Sequence, residues 1–147
     1  MFILVTSFPF RRQVQTLLSA ASNGHAEVVK IVLEQLGEDG CNERNKDGWT
    51  ALMFASWKDH IDVVDLLLEL DENAQIDIDA SVGGGWTALI IAAFNGHWRI
   101  VERLLLKGAS LQSTSMTALQ MAKMSHEDVD SFDKLRTINI IKTALKN

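Results

Sequence analysis

Residues 85–111 read GWTALIIAAFNGHWRIVERLLLKGASL, and this stretch decides the fold. An apolar segment of helical length ends at Gly96, and a second one runs from His97 to Gly108. A glycine directly after a helical segment favours a left-handed turn that ends the helix. The stretch therefore predicts two short helices joined by a tight turn, with no catalytic motif between them.

The same pattern recurs along the chain. The tripeptide Thr-Ala-Leu occurs three times, beginning at Thr50, Thr87 and Thr117. A histidine follows the first helix in three units, at His25, His60 and His97. Such a period is typical of a solenoid, in which each unit buries its apolar face only against its neighbours. We therefore predict one domain over residues 13–147, with repeats at 13–44, 45–81, 82–114 and 115–147.

Local signals mark where the predicted helices begin and end. Three threonines can cap the first helix of a unit through their side-chain oxygens: Thr50, Thr87 and Thr117. Gln120 follows the last of them by three residues, which favours a capping box. The turn after that helix holds a residue that tolerates the left-handed conformation, namely Gly24, Asp59 or Gly96.

Two stretches carry a resemblance to a known family. Residues 41–52 read CNERNKDGWTAL, and residues 96–105 read GHWRIVERLL and are followed by Gly108 and Ala109. The first is similar to the loop of the ankyrin repeat that passes into the next helix, and the second is similar to the family's second helix and finger turn. The chain departs from the family at Ala51, Ala88 and Ala118, where proline is usual.

The resemblance implies both a fold and a function. The implied fold is all-α, an ankyrin-repeat solenoid of stacked antiparallel helix pairs with projecting loops. The implied function is that of a non-enzymatic protein–protein interaction module or scaffold, without a cofactor, that binds a partner protein through its concave face.

The overall charge and the cysteine content fit an intracellular protein that does not bind nucleic acid. The net charge is −5, whereas nucleic-acid binding needs a positive surface. The single cysteine, Cys41, excludes an intramolecular disulfide and fits a reducing compartment. We expect a cytoplasmic monomer, with a nuclear location also open.

Residues 1–12 form an apolar N-terminal flank that ends in Arg11 and Arg12. A signal peptide carries its positive charge before the apolar run, and this run is too short to span a bilayer. We therefore predict a flank that packs on the first helix or remains from a preceding segment, with no membrane association. A degenerate targeting or membrane-touching segment is the alternative.

The sequence shows no catalytic or metal-binding constellation. His25, His60 and His97 recur once per repeat, and packed helices lie about 10 Å apart, so these rings cannot converge on one ion at about 2 Å. We expect these histidines to be structural and Cys41 to be packed in the interior. One alternative is an enzyme site in the C-terminal repeat, built from His126, Glu127, Asp128 and Asp130.

Acidic residues are concentrated in the run from Asp59 to Asp79, which contains eight carboxylates and no lysine or arginine. The simplest interpretation of this acidic run is a solvated outer face followed by a polar loop. The alternative is a docking surface that steers a basic partner. The sequence therefore leaves open whether the partner is basic.

The aromatic residues are the strongest functional signal. By the resemblance, the residue before the capping threonine and the last residues of the first helix project onto the concave face. Large aromatic side chains in such places are typical of interface hot spots. The predicted apolar anchors are Trp49, Trp57, Trp86 and Phe94, and the predicted polar rim is Lys46, Asp47, Lys58 and Asn95.

A structural role is the alternative interpretation of the same aromatic residues. Trp49 and Trp86 would then pack inside the stack, and the chain would be a spacer, or a fragment of a larger repeat protein, with no binding role of its own. Trp98 lies at the start of a second helix, where packing between repeats is expected.

Overall fold

The computed structural model describes residues 10–69, 76–112, 117–124 and 129–147, apart from the side chains of residues 38 and 39. Residues 1–9, which make up most of the predicted flank, therefore lie outside the described residues. Residues 126–128 of the alternative enzyme site also lie outside them.

Within these ranges the chain forms four pairs of helices. The first two pairs are α1 (Phe10–Asn23) with α2 (Ala26–Leu36), and α3 (Ala51–Trp57) with α4 (Ile61–Glu69). The other two are α5 (Ala88–Asn95) with α6 (Trp98–Leu106), and α7 (Ala118–Lys123) with α8 (Ser131–Ala144). A 3₁₀-helix (Glu38–Asn42) follows α2, and the strands β1 (Ser81–Val82) and β2 (Trp86–Thr87) precede α5. The predicted stack of helix pairs is confirmed, and a short β-hairpin is added to it.

The helices are arranged in two layers. One layer consists of α1, α3, α5 and α7, each packed on the next, and the other consists of α2, α4, α6 and α8 in the same order. Buried side chains from every one of these helices belong to one continuous hydrophobic cluster. None of the described helices is long and apolar enough to cross a membrane.

Helix α5 shows why a single repeat cannot stand alone. All of its residues from Ala88 to Ala93 are at most 3% exposed, because α3, α6 and α7 surround it. A helix that is apolar on all sides is stable only when neighbours cover every side. The small side chains of Ala92 and Ala93 let these neighbouring helices approach closely.

The predicted N-terminal caps are confirmed. The side-chain oxygen of Thr50 accepts a hydrogen bond from the backbone N–H of Met53 at 3.3 Å. Thr87 caps α5 in the same way, at 3.2 Å. Thr117 and Gln120 form the predicted capping box at the start of α7. Each cap satisfies backbone donors that a short helix would otherwise leave unpaired.

The turns inside the helix pairs also follow the prediction. Gly24 and Gly96 both have a φ angle of 75°, and Asp59 has a φ angle of 61°. All three therefore adopt the left-handed conformation, which glycine enters without steric cost. Asp59 is the only non-glycine residue with a positive φ in the described part of the chain.

Two of the repeated histidines tie one repeat to the repeat before it. His60 Nε2 lies 3.0 Å from the carbonyl oxygen of Ser22, and His97 Nε2 lies 3.1 Å from that of Trp57. Because a carbonyl oxygen can only accept, Nε2 carries the proton in both bonds. The structural role predicted for these histidines is confirmed at His60 and His97.

Residues of other repeats satisfy part of the acidic run. Arg103 Nε lies 3.0 Å from Asp65 Oδ1. Arg44 Nη2 lies 3.5 Å from Asp77 Oδ2. Asp79 accepts a hydrogen bond at 2.8 Å from a backbone N–H of the following repeat. Three carboxylates of the acidic run therefore make contacts between repeats. The run is not only a solvated outer face and a polar loop.

One buried polar group in α3 lacks a partner. Ser56 is fully buried, and its hydroxyl makes no hydrogen bond within the described residues. The corresponding positions in α1 and α5 hold Ala21 and Ala93, which have no polar atom to satisfy. Burying a hydroxyl without a hydrogen bond costs about 1–3 kcal/mol.

We therefore expect Ser56→Ala to stabilise the protein. The free energy of unfolding should rise by about 1 kcal/mol, because the unpaired hydroxyl is removed without leaving a sizeable cavity. Urea denaturation followed by far-UV circular dichroism measures this change. Ser19→Ala in α1 is the matched control, since Ser19 is exposed and reports only the better helix propensity of alanine. Equal gains in both variants would contradict the prediction.

Candidate protein-binding groove

An open groove of about 480 Å³ lies between the repeat that contains α3 and the repeat that contains α5. We call it the aromatic groove. Six of the eight predicted binding residues line it: Asp47, Trp49, Trp57, Trp86, Phe94 and Asn95. The structure thus brings together residues that are up to 48 positions apart in the sequence.

The loop before α3 positions the first wall of the groove. Asn45 organises this loop, because its side-chain oxygen accepts hydrogen bonds from the backbone N–H groups of Asp47 at 3.0 Å and Trp49 at 2.8 Å. The Trp49 ring then packs on α3, with ring centroids 5.1 Å from Phe54 and 5.7 Å from Trp57. These contacts hold the two tryptophans of this wall side by side.

The β-hairpin positions the second wall. β1 pairs with β2 in an antiparallel register that places Val82 opposite Trp86. The Trp86 ring meets Phe94 of α5 edge to face, with centroids 5.4 Å apart and an angle of 85° between the rings. Such a geometry is favourable for aromatic pairs. The hairpin also rests on the preceding repeat, since a Cβ atom at Gly48 would lie 3.1 Å from Val82 Cγ1.

The aromatic side chains of the groove differ in how deeply they are buried. Trp57 is 43% exposed. Trp49, Trp86 and Phe94 are half-buried and pack against the hydrophobic core while they also line the groove. Packing against the core therefore describes part of what Trp49 and Trp86 do, and their role in binding stays a prediction.

The predicted polar rim is only partly assembled at this groove. Asp47 and Asn95 line it, and Asn95 Nδ2 donates to the Ile91 carbonyl at 2.8 Å. Lys46 instead lines a neighbouring groove of about 850 Å³ beside α1. Lys58 lies against the aromatic wall, with its Nζ 3.9 Å from the centroid of the Trp57 ring.

Sequence reasoning missed three residues of the groove. These are Val82 and Gly83 of the hairpin, and Ile91 of α5. The hairpin did have a signal, because the glycines at 83–85 directly precede Trp86 and Thr87. All three glycines have positive φ angles, which a tight connection of this kind requires.

Other candidate sites have structural roles where they are described. Cys41 is only 2% exposed, as predicted. Asp130 of the alternative enzyme site caps α8 by accepting a hydrogen bond from the Phe132 N–H at 3.2 Å. Trp98 packs toward the last repeat, with Arg136 Cζ 4.7 Å from its ring centroid. Across the described ranges, no group of three or more His, Cys, Asp or Glu side chains could hold a metal ion.

Comparisons with known proteins agree with this architecture. A family model described as ankyrin repeats in three copies matches residues 11–80. A second, described as ankyrin repeats in many copies, matches residues 58–105. Together the two matches cover well over half of the chain and include all the residues that line the aromatic groove.

One human protein, named Ankyrin repeat and SAM domain-containing protein 3, is 47% identical to this chain over 53 residues. The aligned segment is 36% of this chain and 8% of that protein. The chain thus matches less than a tenth of the length of this relative.

The different exposure of the tryptophans leads to a stability prediction. Trp57→Ala should lower the free energy of unfolding by about 1 kcal/mol or less, because nearly half of the side chain already faces solvent. Trp86→Ala should cost about 2–3 kcal/mol, because that ring packs on the core and on Phe94. Urea denaturation followed by circular dichroism at 222 nm measures both. A cost for Trp57→Ala as large as that for Trp86→Ala would show that Trp57 is a structural residue.

Proposed function

This chain belongs to the ankyrin repeat family, and we propose that it binds a partner protein through the aromatic groove. Ankyrin repeats are generally protein–protein interaction modules, and the family is generally non-enzymatic. We propose that this chain likewise acts by binding, without catalysis and without a cofactor. Residues around the groove would be the contact surface on the predicted concave face.

One observation carries this proposal: three tryptophans and a phenylalanine line a single open groove. Trp57 is the most informative of them, because 43% of it faces solvent. Tryptophan is the residue type most enriched at binding hot spots, where a partner covers the ring and removes it from water. Four aromatic side chains around one open groove are therefore better explained by a partner than by packing alone.

The rigidity of the groove supports the same proposal. Trp49 is held by the Asn45 side chain and Trp86 by the β-ladder, so neither wall has to be ordered when a partner arrives. A preformed surface loses less conformational entropy on binding than a flexible one. This feature favours a recognition surface that is built before the encounter.

A basic partner that docks on the acidic run receives less support. Asp65 and Asp77 form ion pairs with arginines of other repeats, and Asp79 accepts a backbone hydrogen bond. These contacts already use three carboxylates of the run, so we propose the aromatic groove as the partner site instead.

The remaining features of the proposal concern the state of the protein in the cell. We propose a monomer in an intracellular compartment, the cytoplasm or the nucleus. The buried thiol of Cys41 and the net charge of −5 support this, since a single cysteine cannot form an intramolecular disulfide and a net negative charge disfavours nucleic-acid binding.

A comparison of two alanine variants tests the proposed function. Immobilised wild-type protein, Trp57→Ala and Leu106→Ala capture partners from cell extract, and quantitative mass spectrometry compares the captured proteins. Leu106 is the matched control, because it is an apolar side chain that is 73% exposed and lies on α6, outside the groove. We expect specific partners to fall at least tenfold in Trp57→Ala, as loss of a hot spot of about 2 kcal/mol predicts.

The same experiment separates binding from a spacer role. Capture that is equal for wild-type protein and both variants would favour a structural spacer. Capture that is lost equally in both variants would show a general effect of surface hydrophobicity and would contradict a specific groove.

A further inference from the structure

We propose that the aromatic groove binds the guanidinium group of an arginine on the partner, stacked on the tryptophan faces and hydrogen-bonded to the Asp47 carboxylate. This inference rests on the proposed function and gives its partner a chemical class. The supporting observations are the ring content of the groove, its charge, and the behaviour of the cations of this chain.

The tryptophan rings that line the groove favour a cationic ligand. An aromatic ring carries negative potential on its face, and tryptophan binds cations there most strongly. Trp49, Trp57 and Trp86 line the same groove of about 480 Å³. A cationic side chain that enters this space therefore meets several indole rings, whereas an aliphatic side chain would use only their apolar character.

The charge of the groove favours the same class of ligand. Asp47 is the one charged residue among the described residues that line it, and no lysine or arginine is among them. Asp47 lines both this groove and the neighbouring one, whereas Lys46, the cation next to it in the sequence, lines only the neighbouring groove. The groove is thus an aromatic surface with a single negative charge at its edge.

Cations of this chain already lie over two of its tryptophan rings, one of them in the groove. Lys58 Nζ lies 3.9 Å from the ring centroid of Trp57, next to the groove. Between α6 and α8, Arg136 Cζ lies 4.7 Å from the ring centroid of Trp98. Within the described residues, no such cation lies over Trp49 or Trp86. These two rings have the property that attracts a cation, and none of the described residues supplies one.

The polar groups at the groove favour arginine over lysine. A guanidinium group is planar, so it can stack on an indole while the N–H groups at its edge donate to a carboxylate. Asp47 provides that carboxylate. Asn95 uses its Nδ2 on the Ile91 carbonyl, which leaves its Oδ1 as the atom that can accept from a ligand. An ammonium group is a compact point charge and cannot stack while it makes these bonds.

The four tryptophans allow a direct test in solution. The full chain, labelled with ¹⁵N, is titrated with the blocked tripeptide acetyl-Ala-Arg-Ala-amide, and the indole Nε1–H signals are followed by two-dimensional NMR. The same tripeptide with citrulline in place of arginine is the neutral control, because it has nearly the same shape without the charge. We expect the signals of Trp49, Trp57 and Trp86 to shift, and that of Trp98 to stay, since it lies outside the groove.

Two comparisons quantify the preference. The citrulline tripeptide should bind about tenfold more weakly, as loss of a cation–π contact predicts. Asp47→Asn should weaken binding of the arginine tripeptide about threefold and that of the citrulline tripeptide less, because a neutral urea gains less from a carboxylate. Asp62→Asn is the matched control, because it removes the same charge from an exposed position on α4, outside the groove, and should leave both affinities unchanged.

Several results would overturn the inference. They are equal affinity for the arginine and citrulline tripeptides, equal effects of Asp47→Asn and Asp62→Asn, a shift of Trp98 as large as the others, or tighter binding of a lysine or trimethyl-lysine tripeptide. Partner capture that still depends on Trp57 would then leave the proposed function intact and remove only the arginine. Failure of both experiments would remove the groove as a binding surface.

Discussion

Three of the four first helices that the structure describes are too short to be stable by themselves, and this constraint shapes the rest of the structure. Helices α3, α5 and α7 have seven, eight and six residues, whereas isolated helices shorter than about 12 residues are marginal in water. Each therefore depends on being enclosed by its neighbours. The alanines that permit close approach, the threonine caps and the left-handed turns all serve helices that exist only inside the stack.

The same constraint explains why the groove lies where it does. A short first helix ends soon after it begins, so the loop before it and its last turn are close together. Trp49 and Trp57 come from the two ends of one such helix, and Trp86 and Phe94 from the two ends of the next. The caps and loops that stabilise the helices thus also orient the aromatic rings. Fold stability and the proposed recognition share the same few residues, since Trp86 belongs to both the core and the groove.

Much of the fold and part of the site could be predicted from the sequence, and the difference has a physical cause. The caps at Thr50, Thr87 and Thr117 and the turns at Gly24 and Gly96 depend on residues a few positions apart, so local pattern was enough. The pairing of Asp65 with Arg103 joins different repeats, and composition along the chain could not show it.

The same difference between local pattern and long-range contacts applies to the groove. The projecting positions of Trp57 and Phe94 follow from their place at the ends of first helices. The direction of Lys46, away from the aromatic groove, depends on how a loop turns, which no periodicity encodes. Val82 and Gly83 became groove residues because a hairpin formed in a segment where the repeat pattern predicts no strand. Binding by any of these residues stays a prediction.

The aromatic groove lies at the interface between two adjacent repeats, because each repeat supplies one of its walls. In a solenoid, each repeat is coupled to the next mainly through the free energy of their shared interface. An occupant that touches both walls adds its binding free energy to that one interface. It would therefore make α3 and α5 unfold together, and a stack that could otherwise open repeat by repeat would behave there as one cooperative block.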